Sequence, residues 1–191
     1  MQAEFPDFRL GSVLATSFTG TLSERHGTPV ERIPAPHRLV DWLAVNGLAV
    51  DSCSPAQLAL ARELRESIHA VATAAATGDA LPASAVRVIN GRSTQGRAAA
   101  VLTPGGERRW QLRSGSRMED ALGVIAADAV SIIAGERDGR LALCASPSCR
   151  AAFFDTSRSR TRKWCDMNTC GNRQKKARFN AGQRRSPGSA E

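Results

Sequence analysis

Apolar residues recur along this chain at two spacings, and the switch between them marks out the elements. Over residues 9–22, Leu10, Val13, Leu14 and Phe18 fall at helical spacing. Residues 28–36 read as a proline-broken loop. Residues 37–47 then predict a helix with Leu39, Val40, Trp42 and Leu43 on its core face and Gly47 as its stop. The clearest helix start is Ser54-Pro55-Ala56-Gln57. Serine can cap, proline suits the first helical position, and Gln57 completes a capping box. The stripe that follows is Leu58, Ala61, Leu64, Ile68, Val71 and Ala75, with Arg62, Glu63, Arg65 and Glu66 expected outside and Gly78 as the stop. Residues 82–90 predict a short helix ended by Gly91. Residues 97–103 and 107–113 alternate like strands around Pro104-Gly105-Gly106, a hairpin signal that puts Trp110 and Leu112 on one face. A second capping box, Ser116-Arg-Met-Glu119, opens a helix through Leu122, Ile125, Ala126, Ala129, Ile132 and Ile133 that Gly135 ends.

Beyond the charged stretch 136–140 the pattern changes. Leu141 to Leu143 and Ala151 to Asp155 predict two strands, and a basic helix is expected from Arg173. The fold class is α+β. A mainly helical N-terminal domain with a small hairpin (1–135) precedes a small module (136–185) whose two Cys-x4-Cys pairs, Cys144/Cys149 and Cys165/Cys170, make it zinc-ribbon-like. Residues 1–8 read as a loose arm and 186–191 as a disordered tail.

Charge sharpens this division. The net +8 lies wholly in residues 135–191, which hold 13 Lys and Arg against 5 Asp and Glu; residues 1–134 balance at 13 each. Such polarisation is an electrostatic footprint of nucleic-acid binding. Part of it could merely offset a metal site, because four thiolates and one Zn²⁺ sum to −2. Eleven basic residues between Cys144 and Arg185 exceed that need.

The cysteines supply the candidate chemistry. Cys144 and Cys149 form one Cys-x4-Cys pair and Cys165 and Cys170 another, fifteen residues apart. Paired knuckles at this spacing suit a closed tetrahedral Zn²⁺ site, which would be structural rather than catalytic. Two disulfides fit less well, since no signal peptide is seen and a cytosol keeps thiols reduced. The spacing matches neither common ferredoxin run, which disfavours an iron–sulfur cluster. Cys53 stands apart and reads as a small buried hydrophobe.

Cys170-Gly171-Asn172-Arg173, which closes the second pair, resembles the signature of the CGNR zinc finger family. Phe153-Phe154-Asp155 after the first pair and Arg162-Lys163-Trp164-Cys165 before the second agree with it, and the resemblance runs from about Leu141 to Asn180. In that family the finger follows an α/β domain called ABATE, from stress-induced transcription regulators. Thr16 and Thr19 stand about where that domain shows Asp and Asn. The resemblance implies a zinc-dependent, DNA-binding transcription regulator whose N-terminal domain senses a ligand or mediates assembly.

Nucleic-acid contacts are expected from Arg158, Arg160, Arg162, Lys163, Arg173, Lys175, Lys176 and Arg178. Arg173, beside the metal site, could instead brace the knuckle. Phe153, Phe154, Trp164 and Phe179 interleave with these basics; in so small a module they are expected to be core rather than base-stacking platforms. Thr16, Thr19, Trp42, Trp110 and Arg113 are weaker candidates to line an effector pocket between the first helix and the hairpin. An RNA-binding zinc ribbon and a protein-interaction zinc module are the alternatives, since charge does not separate DNA from RNA. Nothing indicates an enzyme: there is no glycine-rich phosphate loop, no Gly-x-Ser-x-Gly, and no metal triad among His26, His37 and His69. No apolar stretch is long enough to span a membrane, so a cytoplasmic location is expected. A palindromic site would imply a homodimer.

Overall fold

The computed structural model describes residues 5–11, 13–115 and 117–183. The expected capping serine at 116, the tail 186–191 and Arg184 lie outside these. The order is α1 (Leu14–Thr19), β1 (Leu22–Ser23), β2 (Val30–Glu31), α2 (Pro36–Val45), α3 (Pro55–Thr77), α4 (Ala83–Gln95), β3 (Ala99–Leu102), β4 (Arg108–Gln111), α5 (Arg117–Ile133), β5 (Arg140–Leu143), β6 (Ala152–Asp155) and α6 (Asn172–Gln183). A π-turn, Met167–Gly171, leads directly into α6. The strands form three separate antiparallel pairs, β1–β2, β3–β4 and β5–β6. The α+β expectation holds.

Helix α3 is the axis. Ser54 Oγ accepts from the Gln57 N–H at 3.1 Å, and Gln57 Oε1 accepts from the Ser54 N–H at 2.9 Å, so both orphan donors are satisfied. At the other end Gly78 adopts φ 77°, and its N–H returns to the Ala74 carbonyl. Leu58, Ala61, Leu64, Ile68 and Val71 are buried as expected. Helices α1, α4 and α5 and strands β5 and β6 all pack on α3.

Four expectations are corrected. Arg65 is not outside: it is 3% exposed, on the buried face of α3. Its guanidinium forms a two-point pair with Glu31, both bonds 2.8 Å, and also reaches Thr21 Oγ1 at 3.2 Å. The partner comes from β2, a strand inside the segment expected to be only loop. Helix α1 is shorter than residues 9–22 suggested, and Leu10 is 58% exposed. The arm is tied down over residues 5–8, where the Arg38 guanidinium lies 4.3 Å from the Phe8 ring centroid and 5.3 Å from that of Phe5. Finally, α4 runs through Gly91 to Gln95. It ends at Gly96, whose backbone meets α5 so closely that a Cβ there would lie 2.5 Å from Gly123 Cα. Only two glycines permit that approach.

A second ion pair, between exposed Arg113 and a buried carboxylate, fixes the hairpin. Asp120, fully buried on α5, accepts the Arg113 side chain at 2.6 Å and the backbone N–H groups of Arg97 and Arg113 at 2.9 and 2.7 Å. The Arg113 guanidinium thereby holds its carboxyl well below the usual range despite burial. The two ends of the β3–β4 ribbon are thus clamped by one carboxylate.

Burial alone would raise the Glu31 carboxyl, yet the Arg65 guanidinium outweighs burial and holds it below its ordinary value. A carboxyl depressed in the folded state contributes stability above the unfolded-state pKa and loses it as pH falls through the folded value. Glu31→Gln should therefore lower stability by about 1–3 kcal/mol at pH 7, because buried Arg65 loses its two-point partner and keeps only its bonds to Glu66 Oε1 at 2.8 Å and Thr21 Oγ1 at 3.2 Å. The difference from wild type should shrink as pH drops below about 4. Denaturant melts at pH 7 and pH 3 check this; an equal gap at both pH values would count against it.

A four-cysteine centre clasped to the helical body

The first knuckle is built by a hairpin. In β5–β6, Leu141 faces Phe154 and Ala142 faces Phe153. The Cys144 N–H closes the ladder onto the Ala151 carbonyl at 2.9 Å. Between them Ser146 accepts the N–H groups of Cys149 and Arg150 at 3.1 Å each, and Arg150 takes a left-handed φ of 49° to complete the turn. Successive side chains on a strand point to opposite faces. Accordingly Phe154 joins the main core, whereas Phe153 packs with Ala142, Cys144, Cys149 and Cys170 around the metal centre. Strand β6 is the seam between the helical body and the cysteine module.

The second knuckle is a π-turn. Asp166 Oδ1 accepts the Thr169 N–H at 2.7 Å and its hydroxyl at 2.9 Å, while the Asp166 carbonyl takes the Gly171 N–H at 3.1 Å. Gly171 lets two side chains close in: a Cβ there would lie 2.2 Å from Met167 Sδ and 3.2 Å from Trp164 Cδ1, so both would have to shift. Asn172 is exposed and enters through its backbone, its N–H serving as the cap of the turn.

All four sulfurs lie within 4.8 Å of one another. Cys149 and Cys165 Sγ are 3.6 Å apart, Cys165 and Cys170 Sγ 3.7 Å. Sulfurs at 2.3 Å from a tetrahedral Zn²⁺ would sit about 3.8 Å apart, so the cluster fits the ion. A disulfide, with sulfurs about 2.05 Å apart, is not formed. Hydrogen bonds with neighbouring thiols lower Cys144, and its contacts raise Cys149 and Cys165. Negative charges this close repel, so four thiolates at this spacing suit a multivalent cation.

The basic residues divide into two kinds. Arg158, Arg160, Arg162, Lys163, Lys175 and Lys176 are exposed. The loop carrying the first four is organised by Asp155, fully buried, which accepts the N–H groups of Ser157 and Arg162 at 2.9 Å each. Arg160 pairs with Asp138. Arg162 donates to the Cys165 carbonyl at 3.0 Å and lies over the Phe153 ring. Nothing is described of the Arg178 side chain. Arg173 differs from these: its guanidinium grips Glu24 at 2.5 and 3.0 Å and also reaches Ser148 Oγ at 3.0 Å. Glu24 is buried, has φ 55°, and accepts Ser148 Oγ at 2.8 Å. The His26 N–H reaches the Ser148 carbonyl nearby. The turn between β1 and β2 is thereby clasped onto both knuckles. Glu24 and Ser148 leave no local signal in the sequence, since Glu24 stands 124 residues from Ser148 and 149 from Arg173.

Of the aromatics expected as core, Phe153 and Phe154 are buried and Trp164 is partly buried, but Phe179 is 66% exposed. Among the described residues no element covers Phe179 on α6. The five effector candidates are not brought together. Trp42 is sealed in the core against Phe18, ring centroids 5.0 Å apart. Thr19 is buried and donates to the Thr16 carbonyl. Thr16 borders a cavity of about 260 Å³ against the cysteine module. Arg113 is held by Asp120. Only Trp110, stacked under the Arg108 guanidinium at 4.3 Å, borders a larger cavity, about 480 Å³, between α1, β4 and α5. His69 is half-buried, and burial pulls it down to about 4, so it is neutral near pH 7. Cys53 is partly buried against the core, and burial raises its thiol.

A helical body closed by a four-cysteine hairpin-and-turn module defines a zinc-finger protein. Residues 12–136 match the ABATE family, described as "Putative stress-induced transcription regulator", and residues 140–183 match the CGNR zinc finger. The chain belongs to the ABATE family, with a CGNR zinc finger at its C-terminal side. Neither family is an enzyme family. A comparison with curated proteins returns no match. No helix among the described residues is long and apolar enough to cross a membrane.

The Arg173 guanidinium lowers the Glu24 carboxyl against its burial. Glu24→Gln keeps the shape but loses the charge, and should cost about 1–2 kcal/mol given the exposure of Arg173. A thermal melt equal to wild type would show that the clasp carries no stability.

Proposed function

We propose that this chain is a zinc-dependent, DNA-binding transcription regulator in which Cys144, Cys149, Cys165 and Cys170 hold one structural Zn²⁺. The observation that carries this reading is the basic surround of the cysteine centre. Arg158, Lys163, Lys175 and Lys176 are exposed, and among the described residues none of them is engaged in an ion pair. Basic side chains left free on a rigid module suit phosphate contacts. Arg160, Arg162 and Arg178 complete the proposed contact set. Arg173 is assigned a bracing role, because Glu24 and Ser148 already occupy its donors.

By role, residues 136–185 make the contacts and residues 1–135 regulate them. The cavity at Trp110 is the proposed place for a small effector, its volume within the range of ligand pockets. A homodimer is proposed only if the site proves palindromic. The cytoplasm is the proposed location.

Selection of bound sequences from random DNA and RNA pools tests the class; enrichment of an RNA motif alone would replace this reading with the RNA-binding one. Lys175→Ala and Lys176→Ala should each weaken all DNA sequences alike and lower the slope of log affinity against log salt by about one. Fluorescence anisotropy titrations across a salt series read this, and unchanged slopes for both variants would contradict it.

A further inference from the structure

The four cysteines are not equally sheltered. Cys144, Cys149 and Cys170 are fully buried by area, while Cys165 is partly exposed. The cavity of about 260 Å³ beside α1 is bordered by Cys149 and Cys165 of the cluster, together with Arg9 and Arg162; Cys144 and Cys170 do not border it. Arg9 makes only a loose contact with Glu24, at 3.8 Å, and Arg162 is held beside Cys165 by its bond to that residue's carbonyl. A small cavity therefore meets two cysteines from different knuckles, with two arginines among its lining residues.

We propose that Cys165 and Cys149 form a peroxide-reactive pair, oxidised through this cavity with release of the metal. The proposal rests on the zinc reading. A zinc-bound thiolate remains nucleophilic, and guanidinium groups bordering the cavity assist departure of hydroxide. The Cys165 sulfur attacks one oxygen of hydrogen peroxide; the O–O bond breaks, leaving a sulfenic acid and hydroxide, which takes a proton to become water. The Cys149 thiolate then attacks the sulfenic sulfur. The S–S bond forms, and the second hydroxide leaves and is protonated to water. Two thiolates lose two electrons, peroxide gains them, and two protons are consumed. The sulfurs start 3.6 Å apart, so bonding needs only a local approach. Half of the ligand set is lost, and Zn²⁺ leaves. Because Cys149 and Cys165 belong to different knuckles, the product cross-links them in a geometry that no longer holds a tetrahedral ion.

The test uses the zinc-loaded full chain treated with hydrogen peroxide. Zinc release is followed with a zinc-sensitive dye, and disulfides are mapped by mass spectrometry of peptides from the unreduced protein. The expected result is one zinc released per Cys149–Cys165 disulfide. Arg9→Gln should slow peroxide-driven release several-fold while leaving the rate of zinc loss to a chelator alone unchanged. Retention of zinc under peroxide, first oxidation at Cys144 or Cys170, or a Cys165–Cys170 disulfide instead would each overturn the proposal while leaving the zinc reading intact. Freshly purified protein without zinc would overturn both.

Discussion

Four sulfur atoms confined within 4.8 Å set the terms for the C-terminal third of this protein. Four thiolates at that distance repel one another, and a divalent cation among them offsets the repulsion. The surrounding geometry serves to present the sulfurs at that spacing. A left-handed Arg150 and a hairpin ladder present the first pair, and an Asp166-capped π-turn with Gly171 packed under Met167 and Trp164 presents the second. Strand β6 carries the consequence inward, because Phe153 and Phe154 pack on opposite sides of it. The cysteine centre and the helical core therefore share a wall.

Arginine does more structural work here than a charge count suggests. Arg65 pairs with Glu31 inside the α3 packing, Arg113 holds the β3–β4 ribbon to Asp120, and Arg173 clasps Glu24 across the junction. Each guanidinium offers a planar fork that matches a carboxylate at two points, which a lysine does not. The excess charge of the C-terminal region thus overstates what is free for an acidic partner. Lys163, Lys175 and Lys176 have no such fork, are exposed, and make the stronger case for phosphate contact.

What was legible in the sequence was local. The Ser54 capping box, the α3 stripe, the hairpin around Pro104-Gly105-Gly106 and the two cysteine pairs each lie within a few residues, and each appears where expected. What was missed depended on distant partners. Arg65 was assigned to the surface because charge signals solvent; its carboxylate stands 34 residues away on a two-residue strand too short to leave a pattern. Gly91 was taken as a stop, yet the close approach to α5 is made at Gly96, and α4 continues to reach it. Composition points Phe179 to the core, but among the described residues nothing covers it and it is largely exposed on α6. Glu24 carried no local signal at all, although it anchors the junction between body and module.

The central claim is that a zinc ion bound at the four cysteines holds together the module and the wall it shares with the core. Amide hydrogen exchange of the full chain, before and after zinc removal by a chelator, tests it most directly. The account predicts loss of protection in β5, β6, the π-turn and the start of α6, with a smaller loss on the face of α3 against Phe154, while α4 and α5 stay protected. Undiminished protection across residues 140–183 in metal-free protein would contradict it.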